Sequence, residues 1–99
     1  MTITPSENIK KEVDKKISDV IRNRIILQKK RFHANDNISD FINPGELEHL
    51  QKEVASKVRD LLKSLVIDIE NDHNSQETAE RVAKMYLKEV FKGRYHKRP

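Results

Sequence analysis

The chain has 99 residues, enough for one small core, and 36% of them are charged against 35% hydrophobic, a balance that suits helices with one buried face better than a thick central sheet. It contains no cysteine, which excludes disulfides, thiolate zinc ligands and cysteine nucleophiles. The formal net charge of +4 hides a basic, acidic, basic order: residues 1–32 carry nine basic and four acidic side chains, residues 33–73 four and nine, and residues 74–99 seven and three.

That order allows the chain to fold back on itself or to pair with another subunit, so it argues for packing partners at least as well as for nucleic acid. Two glycines and three prolines leave few turns, which favours a handful of long helices over many short strands. No apolar run approaches the roughly 20 residues needed to cross a bilayer, and Met1 to Lys11 lack the apolar core of a secretory signal. The expectation is an all-α, cytoplasmic protein with no membrane partner.

Three amphipathic helices are predicted, over about residues 5–31, 44–66 and 75–92, arranged as a small bundle or an extended helical hairpin. Thr4, Pro5 and Glu7 form a capping box, and Ile9, Val13, Ile17, Val20, Ile21 and Ile25 recur at three- and four-residue steps, giving a first helix that reaches about Arg31. Its Lys10, Lys11, Lys15 and Lys16, with Glu12, Asp14 and Asp19, read as a solvated face. Residues 33–43 are rich in side chains that compete for backbone hydrogen bonds and predict a connector. Phe32, Ile38, Phe41 and Ile42 are expected to pin it to the helices it joins.

Asn43 as cap, Pro44 at the first helical position and Glu46 at the third predict the second helix. Leu47, Leu50, Val54, Val58, Leu61, Leu62 and Leu65 give the strongest helical period in the chain, with Ala55 allowing close approach on the flank, and the helix should end near Val66. Ile67 to Glu70 alternates apolar and acidic residues, a weak strand signal because its four residues have no partner elsewhere in the chain. After the turn cluster Asn71 to Asn74, Asn74 or Ser75 is the expected cap of the third helix, with Glu77 near its positive end. Ala79, Val82, Ala83, Tyr86, Val90 and Phe91 line its apolar face, Met85 and Leu87 widen it, and Gly93 offers the left-handed conformation that stops a helix. Arg94 to Pro99 is then a basic tail without a face to bury.

Asp68 to Tyr95, DIENDHNSQETAERVAKMYLKEVFKGRY, resembles the segment of GTP cyclohydrolase I that precedes its catalytic sheet. The telling pieces are Glu77-Thr78, then Arg81-Val82-Ala83-Lys84-Met85-Tyr86, then Phe91-Lys92-Gly93-Arg94-Tyr95, in the family's order and spacing. The preceding helix, ending Leu61-Leu62-Lys63-Ser64-Leu65, resembles the family's helix before that turn. Ala79 departs from the proline that many members carry after the threonine. Alanine is the better helix former, so the change moves the helix start without upsetting its packing. On this reading residues 1–45 are a variable extension of helix and connector, and residues 46–99 are the helical region before the catalytic part.

The resemblance implies a zinc enzyme that opens the imidazole ring of GTP and rearranges it to 7,8-dihydroneopterin triphosphate, in pterin or folate biosynthesis. The family holds its metal with two cysteines and a histidine in the later, sheet-containing part. The chain lacks cysteine and reaches Pro99 where that part would begin, so it is expected to be inactive alone and to hold neither zinc nor GTP. The expected role is packing and assembly, against the catalytic domain and within the large homo-oligomer typical of the family. A stand-alone small helical interaction or regulatory protein is the alternative.

No catalytic, cofactor-binding or metal-ligating residue is assigned. His33, His49, His73 and His96 do not share the short spacing that builds a metal site, and Asp68, Glu70, Asp72 and His73 lack the glycine and ordered carboxylates of a calcium loop. Lys29 to His33 and Arg94 to Arg98 combine positive charge with an aromatic ring, as single-strand nucleic-acid binders do. The first lies near a helix end and the second after a helix stop, where positive charge complements exposed carbonyls, and nucleic acid is the weaker reading.

Overall fold

A computed structural model describes residues 16–97. The capping box at Thr4, Pro5 and Glu7 and the apolar positions Ile9 and Val13 lie outside the described residues. Within them the chain is helical and carries no strand: α1 is Ile17–Leu27, a 3-10 turn is Ser39–Phe41, α2 is Glu46–Ser64, α3 is His73–Met85, and α4 is Lys92–Tyr95. A π turn, Tyr86–Val90, joins α3 to α4.

The helix expected over residues 5–31 is shorter at both described ends. Lys16 is extended (φ −68, ψ 145), so α1 starts at Ile17. One of its first-turn donors is met from another helix: Glu53 of α2 accepts from the Ser18 N–H at 3.0 Å and from the Ser18 hydroxyl. A carboxylate at a helix N-terminus also complements the dipole. The other end closes after Leu27. The Lys30 N–H reaches Ile25 O at 3.2 Å and the Lys29 N–H reaches Ile26 O at 2.9 Å, with Lys29 at φ 55. That paired closure is the Schellman motif, here built without glycine.

α2 begins two residues later than the sequence signal. Asn43 is not its cap and Pro44 is not its first residue: both stand in the turn before it, and Gly45, at φ 85, occupies the cap position. The glutamate still reaches back, since Glu46 Oε1 accepts from the Asn43 N–H at 2.7 Å. Arg24 of α1 donates to the same carboxylate and, at 3.0 Å, to Phe41 O, which ties α1, the connector and the start of α2 together.

The C-terminus of α2 closes as α1 does. The Ile67 N–H donates to Leu62 O at 3.1 Å and the Val66 N–H to Lys63 O at 2.9 Å, which puts Val66 at φ 63. A β-branched residue in that left-handed position costs about 1–2 kcal/mol, and Val66 is 92% exposed, so nothing in the described chain offsets it. Val66→Gly is therefore expected to stabilise the fold by about 1 kcal/mol, raising the melting temperature by roughly 4–8 °C in a thermal melt.

The third helix is capped by Asp72, not by Asn74 or Ser75. Asp72 Oδ1 accepts from the Asn74 N–H at 3.1 Å and Oδ2 from the Ser75 hydroxyl at 2.7 Å. α3 thus starts at His73, and Glu77 lies beyond the first turn, paired with Arg81 at 3.2 Å. α2 and α3 run antiparallel: Arg59 meets Glu80 at 2.9 Å, while Leu50, earlier in α2, shares a core with Leu87, later along the chain. Ala55, Ala79 and Ala83 are all fully buried, so small side chains let these two helices approach closely.

The main core gathers Ile21 and Ile25 of α1, Ile38 of the connector, Leu50 of α2 and Leu87 of the π turn, with Phe41, Ile42, Leu47, Val54 and Tyr95 packed against it. The expected anchoring of the connector holds for Ile38, Phe41 and Ile42, whereas Phe32 stays at the surface. The apolar face expected for the third helix is corrected near its end. Ser75, Ala79, Ala83 and Leu87 face inward, while Tyr86 and Val90 are exposed. The wide turn closes with the Phe91 N–H on Tyr86 O at 2.9 Å and shifts the register there. Gly93 does not stop the helix. The break falls at Phe91 (φ −109, ψ 31), and Gly93 lies inside α4 without a positive φ.

Candidate functional site

Arg94 and Tyr95 are not a free tail. The Arg94 guanidinium donates to Asp36 O and Phe32 O, each at 3.2 Å, and to His33 O, while its own carbonyl accepts from the Ile38 N–H at 2.7 Å. Asn37 completes the junction, its side-chain amide donating to Gly93 O at 2.9 Å and His96 O at 2.7 Å. The connector lacks regular backbone pairing, and α4 satisfies its carbonyls instead. The Arg94 guanidinium also stands 6.0 Å from the centre of the Tyr95 ring.

Asp36 organises the other side of this junction. It takes both arms of the Arg31 guanidinium at 2.8 Å and the His33 N–H at 2.8 Å. The bond from Arg31 is the main reason that its carboxyl is pulled down to about 2. A carboxylate depressed in the folded state contributes stability that is full above its unfolded pKa and is lost as pH falls through the folded one. Urea melts between pH 5 and pH 2 are thus expected to show stability falling from about pH 4 downward, and Asp36→Asn to flatten that fall. Glu46 is also held below its usual range, chiefly by Arg24, and contributes in the same direction.

Beside the junction is a cleft of about 140 Å³ lined by the core side chains Ile21, Ile25, Ile38 and Leu50 together with Ser18, Arg22, Phe32, Arg94 and Tyr95. The far end of α2 presents the opposite character. Leu61 and Leu65, expected on its buried stripe, are 58% and 62% exposed, and Val66 projects beyond them.

The other sequence candidates are scattered. His33, His49 and His73 are exposed, and His96 is half-buried with Nδ1 3.2 Å from Lys92 O. Asp68 accepts from the Asn71 side chain at 2.9 Å and Asp72 caps α3, so both serve the turn. Among the described residues no cluster of three or more histidines and carboxylates could hold a metal ion, and no helix is long and apolar enough to cross a membrane.

A comparison with protein-family models, curated proteins and solved structures gives no match for this chain. Arg94, Asp36, Asn37 and Glu53 are the side chains that sequence reasoning missed. Their partners lie far along the chain or on backbone carbonyls, and neither leaves a periodic signal.

Proposed function

We propose that this chain is the helical packing and assembly region of a GTP cyclohydrolase I-like enzyme, a cytoplasmic homo-oligomer that converts GTP to dihydroneopterin triphosphate. The observation that carries the assembly role is the apolar end of α2, where Leu61, Leu65 and Val66 remain exposed although the helix is amphipathic. The link to this enzyme rests on the resemblance over residues 68–95, whose fragments occupy the turn before α3, α3 itself and α4. The chain's own part is positional: zinc and the groups that grip GTP would come from residues that it lacks.

Sequencing the natural transcript past the codon for Pro99 tests this reading. It predicts an in-frame extension containing cysteines and histidine. A stop codon there would instead favour a stand-alone small helical interaction protein.

A further inference from the structure

The two basic, aromatic-bearing stretches of the sequence, one around Lys30 and one around Arg94, meet in the fold. Arg94 donates to Phe32 O, His33 O and Asp36 O, so α4 lies across the connector. Lys30 is two residues from Phe32 and Lys92 two from Arg94, at most about 7 Å along the chain in each case. Residues 28–37 and 91–97 together carry six lysines and arginines against one carboxylate, Asp36, which Arg31 already neutralises. Arg94 is hydrogen-bonded but keeps its charge, because its partners are uncharged carbonyls. Lys29, Lys30, Lys92 and Lys97 are exposed, and among the described residues none of them has an ion pair. A helix C-terminus presents about half a negative charge, so the ends of α1 and α4 offset roughly one of these surplus positive charges and leave the rest uncompensated.

Recesses adjoin the crossing on both sides. One of about 230 Å³ is lined by Lys30, Arg31, Phe32 and His33, another of about 210 Å³ includes Phe91 and Arg94, and the 140 Å³ cleft shares Phe32 with the first and Arg94 with the second. Phe32 thus lines two recesses and is 37% exposed, an aromatic side chain left at the surface among uncompensated cations. From this juxtaposition we infer that the crossing of the connector and α4 binds single-stranded nucleic acid, with backbone phosphates against Lys29, Lys30, Lys92 and Lys97 and a base stacked on Phe32. Positive charge that follows a phosphate backbone, joined to a ring that accepts any base, is the chemistry of sequence-tolerant single-strand binding. A lipid surface asks instead for a long apolar face beside the charge, and exposed Ile26 and Leu27 supply only the last turn of α1. The surface is distinct from the exposed end of α2, so the inference stands or falls independently of the assembly reading.

The experiment is fluorescence anisotropy of a labelled, mixed-sequence oligonucleotide of about 12 nucleotides titrated with the 99-residue chain, each variant being checked for helix content by circular dichroism. Four phosphate contacts predict a slope of about −3 in log affinity against log salt, roughly a 50-fold weakening between about 50 and 200 mM. Lys30→Ala with Lys92→Ala should weaken binding at low salt and bring the slope to about −1.5. Phe32→Ala should weaken binding by about fivefold or more and leave the slope unchanged. Lys57→Ala with Lys63→Ala, at exposed sites about 10 and 20 Å beyond Leu50 along α2, should leave affinity and slope as they are. Absence of binding at low salt would overturn the inference. An equal loss in the α2 variant would do the same, by reducing the effect to net charge, as would an unaltered Phe32→Ala that binds duplex as tightly as single strand. Tighter binding to vesicles containing phosphatidylserine than to the oligonucleotide would give the surface to lipid and overturn it as well.

Discussion

Leu87→Ala is expected to destabilise the fold by about 3 kcal/mol and lower its melting temperature by roughly 15 °C, whereas Val90→Ala should cost less than about 0.5 kcal/mol. Leu87 is 1% exposed and sits in the same core as Ile21, Ile25, Ile38 and Leu50, so truncation leaves a cavity where α1, α2 and the connector converge. Val90 is 56% exposed and has little packing to lose. The contrast tests the π turn directly. An uninterrupted α-helical face through Tyr86, Val90 and Phe91 would reverse the ranking of the two variants, and thermal melts of both decide it.

Arg94→Ala is the second large effect expected, about 2–4 kcal/mol. Three connector carbonyls lose a charged donor, and a charge-assisted hydrogen bond is worth about 1.5–3 kcal/mol, although the connector relaxes toward water and recovers part of that. Lysine should not restore the loss, because a single ammonium cannot reproduce the planar fork that spans Phe32, His33 and Asp36. Hydrogen exchange at the Ile38 amide is the sensitive readout. That N–H donates to Arg94 O, and its protection should fall toward solvent rates in Arg94→Ala while the amides in the middle of α2 keep theirs. Unchanged protection would mean that the connector is held by Ile38, Phe41 and Ile42 alone.

What the sequence made legible is the part governed by local physics. The run from Leu47 to Val58 locates the first turns of α2, Ala79 and Ala83 locate the buried side of α3, and the apolar residues of the connector mark where it docks. Three features were hidden for physical reasons. The cap of α1 is Glu53, a residue of another helix, so nothing beside Lys16 announces it. The ends of α1 and α2 use left-handed Lys29 and Val66, whereas sequence reasoning looks for glycine at such positions, and Gly93 drew that expectation without meeting it. The wide turn at Tyr86–Val90 displaces the buried register, which a fixed 3.6-residue period cannot express. At the junction, Arg94 binds backbone rather than a partner side chain, so its role depends on the path of the connector and not on any motif.

The same distinction governs function. Exposed Leu61 and Leu65 looked like core residues by period alone, and the described residues leave that end of the stripe uncovered. An amphipathic stripe that outlasts its partner is the feature on which the assembly reading rests.

The measurement that tests the account most directly is a GTP conversion assay with zinc, comparing residues 1–99 with a chain extended through a cysteine-containing catalytic part and following dihydroneopterin triphosphate. The account predicts product from the longer chain and none from residues 1–99. Turnover by the cysteine-free helical chain itself would contradict it.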